Sequence, residues 1–242
     1  MRYVSTRNAA LDITASQAIA TGLSRDGGLF TPASFPAVSM ETVGELCKAD
    51  YRERAVNIMK LFLDEFTAEE LAGFAAAAYS DNYDTPDSAP LRKLDATTAF
   101  LELWHGPTCA FKDMALQLLP YLLIGSSKKT LKDKEIVILV ATSGDTGKAA
   151  LEGFKDVENT SILVFYPSDG VSPMQKLQMT TQEGNNVSVC AIEGNFDDAQ
   201  SGVKAIFADG EIAKALDEKG FFLSSANSIN WGRLAPQIVY YV

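Results

Sequence analysis

Apolar residues recur at helical spacing from Val43 to Phe66, which predicts helix across that stretch. A fresh helix start follows at Thr67-Ala68-Glu69-Glu70. There the Thr67 hydroxyl can accept from the Glu70 amide while the Glu70 carboxylate reaches back to the Thr67 amide. Phe66 and Leu71 occupy the two positions of a hydrophobic staple. Residues 1–95 therefore predict a mostly helical N-terminal domain. The stretch from Asp84 to Pro90, with two prolines, two aspartates and a serine, reads as a linker.

Beyond Pro90 the pattern changes. Ile136 to Val140 is an unbroken apolar run, as expected of a strand covered on both faces. Ser161 to Tyr166 is a second such run, and Val187 to Ile192 a third, richer in small residues. Helical segments separate them. Ser172-Pro173-Met174-Gln175 has the form of a capping box with proline at the first helical position, and Gly184 is the expected stop. Alternating strands and helices predict βαβ units and a parallel sheet, hence an α/β lobe over residues 96–225. Gly232 to Val242 reads as a helix with no stop signal, so residues 226–242 are expected to open a further lobe that is cut short.

Composition narrows the function classes. Of 242 residues, 47% are hydrophobic and 21% charged, the profile of a globular protein. The net charge of -10 repels phosphate backbones and anionic lipid heads, which argues against nucleic acid or membrane as partners. Met1-Arg2-Tyr3 leads into a polar stretch rather than a secretory h-region. The most apolar stretch, Leu116 to Ile124, is too short to span a bilayer and contains Gln117 and Pro120. Cys47, Cys109 and Cys190 form neither a disulfide framework nor a metal-ligand spacing, so a reducing cytoplasm and no metal are expected.

Three segments have the residue types for chemistry. The first, Ala141-Thr142-Ser143-Gly144-Asp145-Thr146-Gly147-Lys148, follows a buried strand and opens a helix. Its glycines allow close approach to the backbone, and a helix N-terminus seats a carboxylate or phosphate. A Walker A loop would need glycine where Thr142 stands and serine or threonine where Ala149 stands. An ordinary strand-to-helix turn is the other reading. The second, Trp104-His105-Gly106-Pro107-Thr108-Cys109-Ala110-Phe111-Lys112-Asp113, leads from a rigid Gly-Pro turn to a lysine between an aromatic and a carboxylate. A lysine in a partly apolar pocket can form a Schiff base with a carbonyl cofactor. Most lysines are instead solvated surface charges. The lone histidine, His105, and Cys109 read as structural. The third, Ser224 to Arg233, is rich in hydrogen-bonding groups and leads into a helix, and alone it reads as a capped loop.

Taken together, these segments resemble threonine synthases. HGPTCAFKD looks like the cofactor-lysine motif of that family, and ATSGDTGKAAL like its loop facing cofactor and substrate carboxylate. SSANSINWGRLAPQIVYY is similar to a signature of the longer, bacterial and fungal type. Tyr3-Val4-Ser5-Thr6-Arg7 and Gly22 to Leu29 fit the opening. The resemblance runs over nearly the whole chain. It implies the fold type II architecture of pyridoxal 5'-phosphate (PLP) enzymes, like the tryptophan synthase β chain, with two α/β lobes and an added N-terminal domain.

By the same resemblance Lys112 would hold PLP, with Phe111 and Asp145 beside the cofactor. Ser143, Gly144, Thr146 and Gly147 would face the substrate carboxylate. Asn227, Asn230 and Arg233 would lie near the substrate phosphate or order the site. The reaction implied is O-phospho-L-homoserine plus water giving L-threonine and phosphate, with Lys112 as general base at Cα. A glycine-rich loop of GNFGN type, which wraps the cofactor phosphate in the family, is absent, and so is the later residue that meets the pyridine nitrogen. Most of the larger lobe is thus expected to be missing, and this chain alone is expected to be inactive. The rivals are another fold type II lyase such as a threonine dehydratase, a nucleotide-binding protein using the SGDTGK loop, and a non-catalytic fragment. Asp145 and the INWGR segment speak against the dehydratase. The sequence gives no oligomeric state.

Overall fold

The computed structural model describes residues 1–131 and 134–242. The first part is not purely helical. Strand β1 (Tyr3–Ser5) lies between β2 (Asn8–Ile13) and β3 (Phe30–Pro32), antiparallel to both. This small sheet gives little hydrophobic signal, because β1 and β3 have three residues each and β2 is largely exposed. Helix α1 (Ala15–Thr21) follows β2 behind a reciprocal Thr14–Gln17 capping box.

The run from Val43 to Phe66 divides into α2 (Met40–Leu46) and α3 (Tyr51–Phe62). Asp50 makes the division, since its carboxylate accepts from the Glu53 amide at 2.8 Å and starts a new helix. Helix α4 (Ala68–Ala78) begins as expected, with Thr67 and Glu70 bonded in both directions and the staple residues Phe66 and Leu71 buried. The linker then runs into a hairpin, β4 (Leu91–Lys93) with β5 (Ala99–Leu101), which lacks a buried face and so has no apolar alternation.

The lobe that follows comprises α5 (Asp113–Leu116), α6 (Leu119–Thr130), β6 (Glu135–Ala141), α7 (Asp145–Phe154), β7 (Thr160–Pro167), α8 (Pro173–Thr180), β8 (Val187–Ile192), α9 (Phe196–Ala208), α10 (Gly210–Asp217) and β9 (Phe221–Ser225). Its four strands are all parallel, in the order β8-β7-β6-β9. The three apolar runs are β6, β7 and β8. Strand β9 was hidden because it overlaps the polar third segment. Ser172 caps α8 from one side only, accepting from the Gln175 amide, and the helix stops at Thr181 rather than Gly184.

One hydrophobic core joins all three expected domains. Tyr3, Ile19 and Met59 from the first pack with Leu122, Ile138 and Phe154 from the lobe and with Trp231 and Val239 from the last. The last segment is α11 (Trp231–Leu234) followed by a 3-10 helix (Ala235–Tyr241). A helix without a stop was expected there. The observed turn is tighter, with Pro236 in its first positions, and Val239 and Tyr240 are buried. Trp231 anchors it edge-on against Tyr3 and Phe62, at ring-centroid separations of 6.0 and 5.6 Å. Among the described residues no helix is long and apolar enough to cross a membrane.

Candidate active site

Two segments meet at the C-terminal end of β6. The first is the turn from Gly106 to Asp113 that leads into α5. The Asp113 carboxylate is completely buried and accepts twice from Thr108, from its amide at 2.8 Å and its hydroxyl at 2.7 Å. Burial pushes the Asp113 carboxyl above the usual carboxylate range, against the pull of those bonds. Gly106 must lack a side chain, because a Cβ there would lie 2.6 Å from that of Asp113. Lys112 stands at the first edge of α5, half-buried.

The second segment is the turn from β6 into α7. Thr142 organises it: its hydroxyl accepts from the amides of Gly144 at 3.0 Å and Gly147 at 2.9 Å. Gly144 precedes the helix at φ 150°, a conformation that side chains disfavour, and a Cβ there would collide with Gln175. Gly144 has no side chain to cap α7, and Thr142 and Asp145 take the Gly147 and Thr146 amides instead. Ser143 is exposed and Thr146 half-buried beside it.

Lys112 and Asp145 connect the two segments. Lys112 Nζ donates to Asp145 Oδ2 at 2.7 Å, and Asp145 Oδ1 accepts from the Thr146 amide at 2.9 Å. The same ammonium lies over the Phe111 ring, 4.3 Å from its centroid. Thus Phe111, Lys112 and Asp145, three residues singled out in sequence, share one cluster. So do Ser143, Gly144, Thr146 and Gly147, which form the turn on which Asp145 stands.

The third segment divides. Asn227 grips the end of β6, its amide pairing with the Ala141 N–H at 3.3 Å and the Ala141 carbonyl at 3.0 Å. Asn230 is fully buried and fully used. It donates to the Ile19 and Ser225 carbonyls at 2.9 and 3.0 Å and accepts from the Gly232 amide at 2.9 Å. Arg233 differs: only 1% of it is exposed, yet Nε and Nη1 have no hydrogen-bond partner among the described residues. Burial draws its pKa down to about 10, opposed by Tyr240, Asp113 and Asp145. A buried guanidinium with two free donors suits an anion.

Sequence reasoning missed Asp113, Thr108 and Thr142 as builders of the site. The polar residues flanking Lys112 and the first glycine were the available signal. It also left His105 without partners. Its Nδ1 meets Asp84 at 2.5 Å and its Nε2 meets Glu102 at 2.8 Å, tying the linker to the stretch before the lysine turn. No cluster among the described residues is arranged to hold a metal ion.

The parallel α/β lobe thus presents a lysine–carboxylate pair at the start of α7, with Lys112 as a candidate carbonyl-reactive lysine. Comparison with known proteins makes this specific. Residues 2–79 match the family described as Threonine synthase N terminus. The threonine synthase of Pseudomonas aeruginosa is 42% identical over 242 residues, covering all of this chain and 50% of that protein. Among solved structures, a PLP-bound threonine synthase from Brucella melitensis superimposes with a TM-score of 0.87 at 41% identity, covering 100% of this chain and 50% of that one. Threonine synthase from Escherichia coli gives 0.86 at 35% identity, covering 100% and 53%. Over its whole length the chain is similar to the N-terminal part of threonine synthases. It spans about half the length of the relatives it matches.

Proposed function

We propose that this chain carries the lysine-bearing side of a threonine synthase active site of fold type II, with PLP held on Lys112. The observation that carries the reading is the Lys112–Asp145 contact at 2.7 Å, set between the Phe111 ring and the start of α7. The residues present fit the cofactor. The lysine is half-buried and pairs with a carboxylate, and the adjoining turn lets a ligand approach its backbone. An anionic carbonyl compound meets both needs, and the PLP-bound relative from Brucella melitensis supports the assignment.

The proposed reaction consumes O-phospho-L-homoserine and water and yields L-threonine and phosphate. PLP, when bound, would supply an electron sink for charge developing at the substrate Cα. Everything else falls to the protein. The Lys112 amine would take and return the Cα proton. Asp145 would orient that amine and stand beside the cofactor. At the positive end of α7 the Ser143 and Thr146 hydroxyls would hold the substrate carboxylate, with Gly144 and Gly147 shaping the turn that presents them. Arg233 would attract the substrate phosphate through its two free donors. Asn227 and Asn230 order these groups, since their amides are bonded to backbone. The three cysteines are free and exposed, which suits a reducing cytoplasm as the place of reaction.

The test is spectroscopic. PLP added to the 242-residue chain should give a visible absorbance band that O-phospho-L-homoserine perturbs. Lys112→Ala should abolish the band while circular dichroism stays unchanged. A band that survives Lys112→Ala refutes the assignment.

A further inference from the structure

The Asp113 carboxylate makes no bond to the Lys112–Asp145 pair, yet Asp113 is completely buried. Both of its oxygens are taken by one residue, Thr108, five positions earlier: Oδ2 by the amide at 2.8 Å and Oδ1 by the hydroxyl at 2.7 Å. The bonds close the chain into a loop between Thr108 and Asp113, and the Asp113 amide adds a bond to the Ala110 carbonyl at 2.9 Å. Cys109 takes a left-handed conformation inside that loop, at φ 57°, which the two Thr108 bonds hold in place. From below, the Tyr79 hydroxyl donates to the Met114 carbonyl at 2.8 Å. Gly106 leaves the room that the carboxylate fills.

The tie fixes the backbone from Thr108 to Asp113, from which the residue just before the tie projects its side chain. That side chain is Lys112. We propose that Asp113 and Thr108 form an internal latch that aims Lys112 at Asp145, making Asp113 a positioning residue for the cofactor lysine. The inference rests on the role given to Lys112 above. Asp113 acts only through the turn. Two features argue for aim rather than for simple stability. The latch joins residues inside one short loop, where cross-linking adds little to the global fold. It also buries a carboxylate, a costly device where an apolar contact would serve packing alone.

The test measures Lys112 in two opposite ways, in wild type, Asp113→Asn, Thr108→Val and Thr108→Ser. One arm traps PLP on the chain with borohydride and maps the adduct by mass spectrometry. The other labels lysines with acetic anhydride, with Lys148, held by Glu152 at 3.0 Å, as the internal control. Loss of a hydrogen bond to a charged group corresponds to about tenfold in the aim of the amine. Thr108→Val, which removes the hydroxyl bond, should therefore trap PLP on Lys112 about tenfold more slowly and acetylate Lys112 about tenfold faster, with Lys148 unchanged. Asp113→Asn, which keeps both bonds with Thr108 and loses only the charge, should change each rate less. Thr108→Ser keeps both donors and should behave as wild type.

General loosening of the fold would raise the acetylation of Lys148 as well, and that result overturns the proposal. So does a folded Thr108→Val whose Lys112 reacts as in wild type. Should Asp113→Asn fail to fold, Thr108→Val and Thr108→Ser decide the matter alone. A wild-type chain that traps PLP on a different lysine refutes the cofactor reading, while the acetylation arm still decides the latch.

Discussion

The two faces of the parallel sheet are built to different standards. On one face β6 presents Ile136, Ile138 and Val140, all fully buried, to α5, α6, α7 and the N-terminal elements. On the other it presents Leu139 and Ala141 to a small cluster with Ala199 and Val203 of α9, and α10 beyond has no buried residue. The candidate site stands on the thick face. Lys112 projects from the start of α5 and Asp145 from the start of α7, and both helices are fixed by the large core. A site that must hold an amine within hydrogen-bond distance of a carboxylate needs supports that do not yield. The thin face needs only to cover the sheet.

The largest effect should come from the thick face. Leu151, fully buried in α7, should cost about 2–5 kcal/mol when replaced by alanine, read as a fall in the denaturation midpoint. Asn230→Ala comes next. It strands the Gly232 amide and the Ile19 and Ser225 carbonyls, and should cost about 2–3 kcal/mol in the same assay. On the thin face, Val203→Ala should cost no more than about 1.5 kcal/mol, the worth of two methyl groups. Ile212→Ala in α10, already 38% exposed, should stay within about 0.5 kcal/mol. Equal losses at Leu151 and Val203 would erase the distinction between the faces.

The smallest effect concerns the rim. Glu102, and after it Asp84, raise the pKa of His105 above its ordinary value. A raised folded pKa means that the stabilisation is complete below the unfolded value, about 6.5, and fades as pH rises through the folded one. The groups facing the ring are Asp84 and Glu102, with Arg92 3.7 Å from the Glu102 carboxylate and Trp104 tilted against the imidazole. Wild type should therefore lose stability above pH 6.5 more steeply than His105→Gln, whose amide does not titrate. Parallel pH profiles for the two proteins would remove His105 from the account.

How much of this could be read in the sequence depended on the kind of signal. Strands β6, β7 and β8 were legible because continuous apolar runs have one common cause, burial on both faces. The start of α4 was legible because capping is local chemistry between Thr67 and Glu70. The small N-terminal sheet and the β4–β5 hairpin were not, since short exposed strands form no apolar pattern. At the site, motifs pointed to Lys112 and Asp145, but the contact between them spans 33 positions and depends on tertiary folding. Asp113 and Arg233 were both visible as charged residues. That one is bonded twice to Thr108 and the other carries free buried donors could be learned only from the packed chain.

The central claim is that Lys112 is the cofactor lysine. The most direct measurement is to incubate the chain with PLP, reduce with borohydride, digest, and locate the pyridoxyl group by mass spectrometry. The account predicts a single dominant adduct on Lys112, lost in Lys112→Ala. An adduct centred on Lys148, the other lysine near the α7 start, or one spread evenly over the surface lysines, would contradict it.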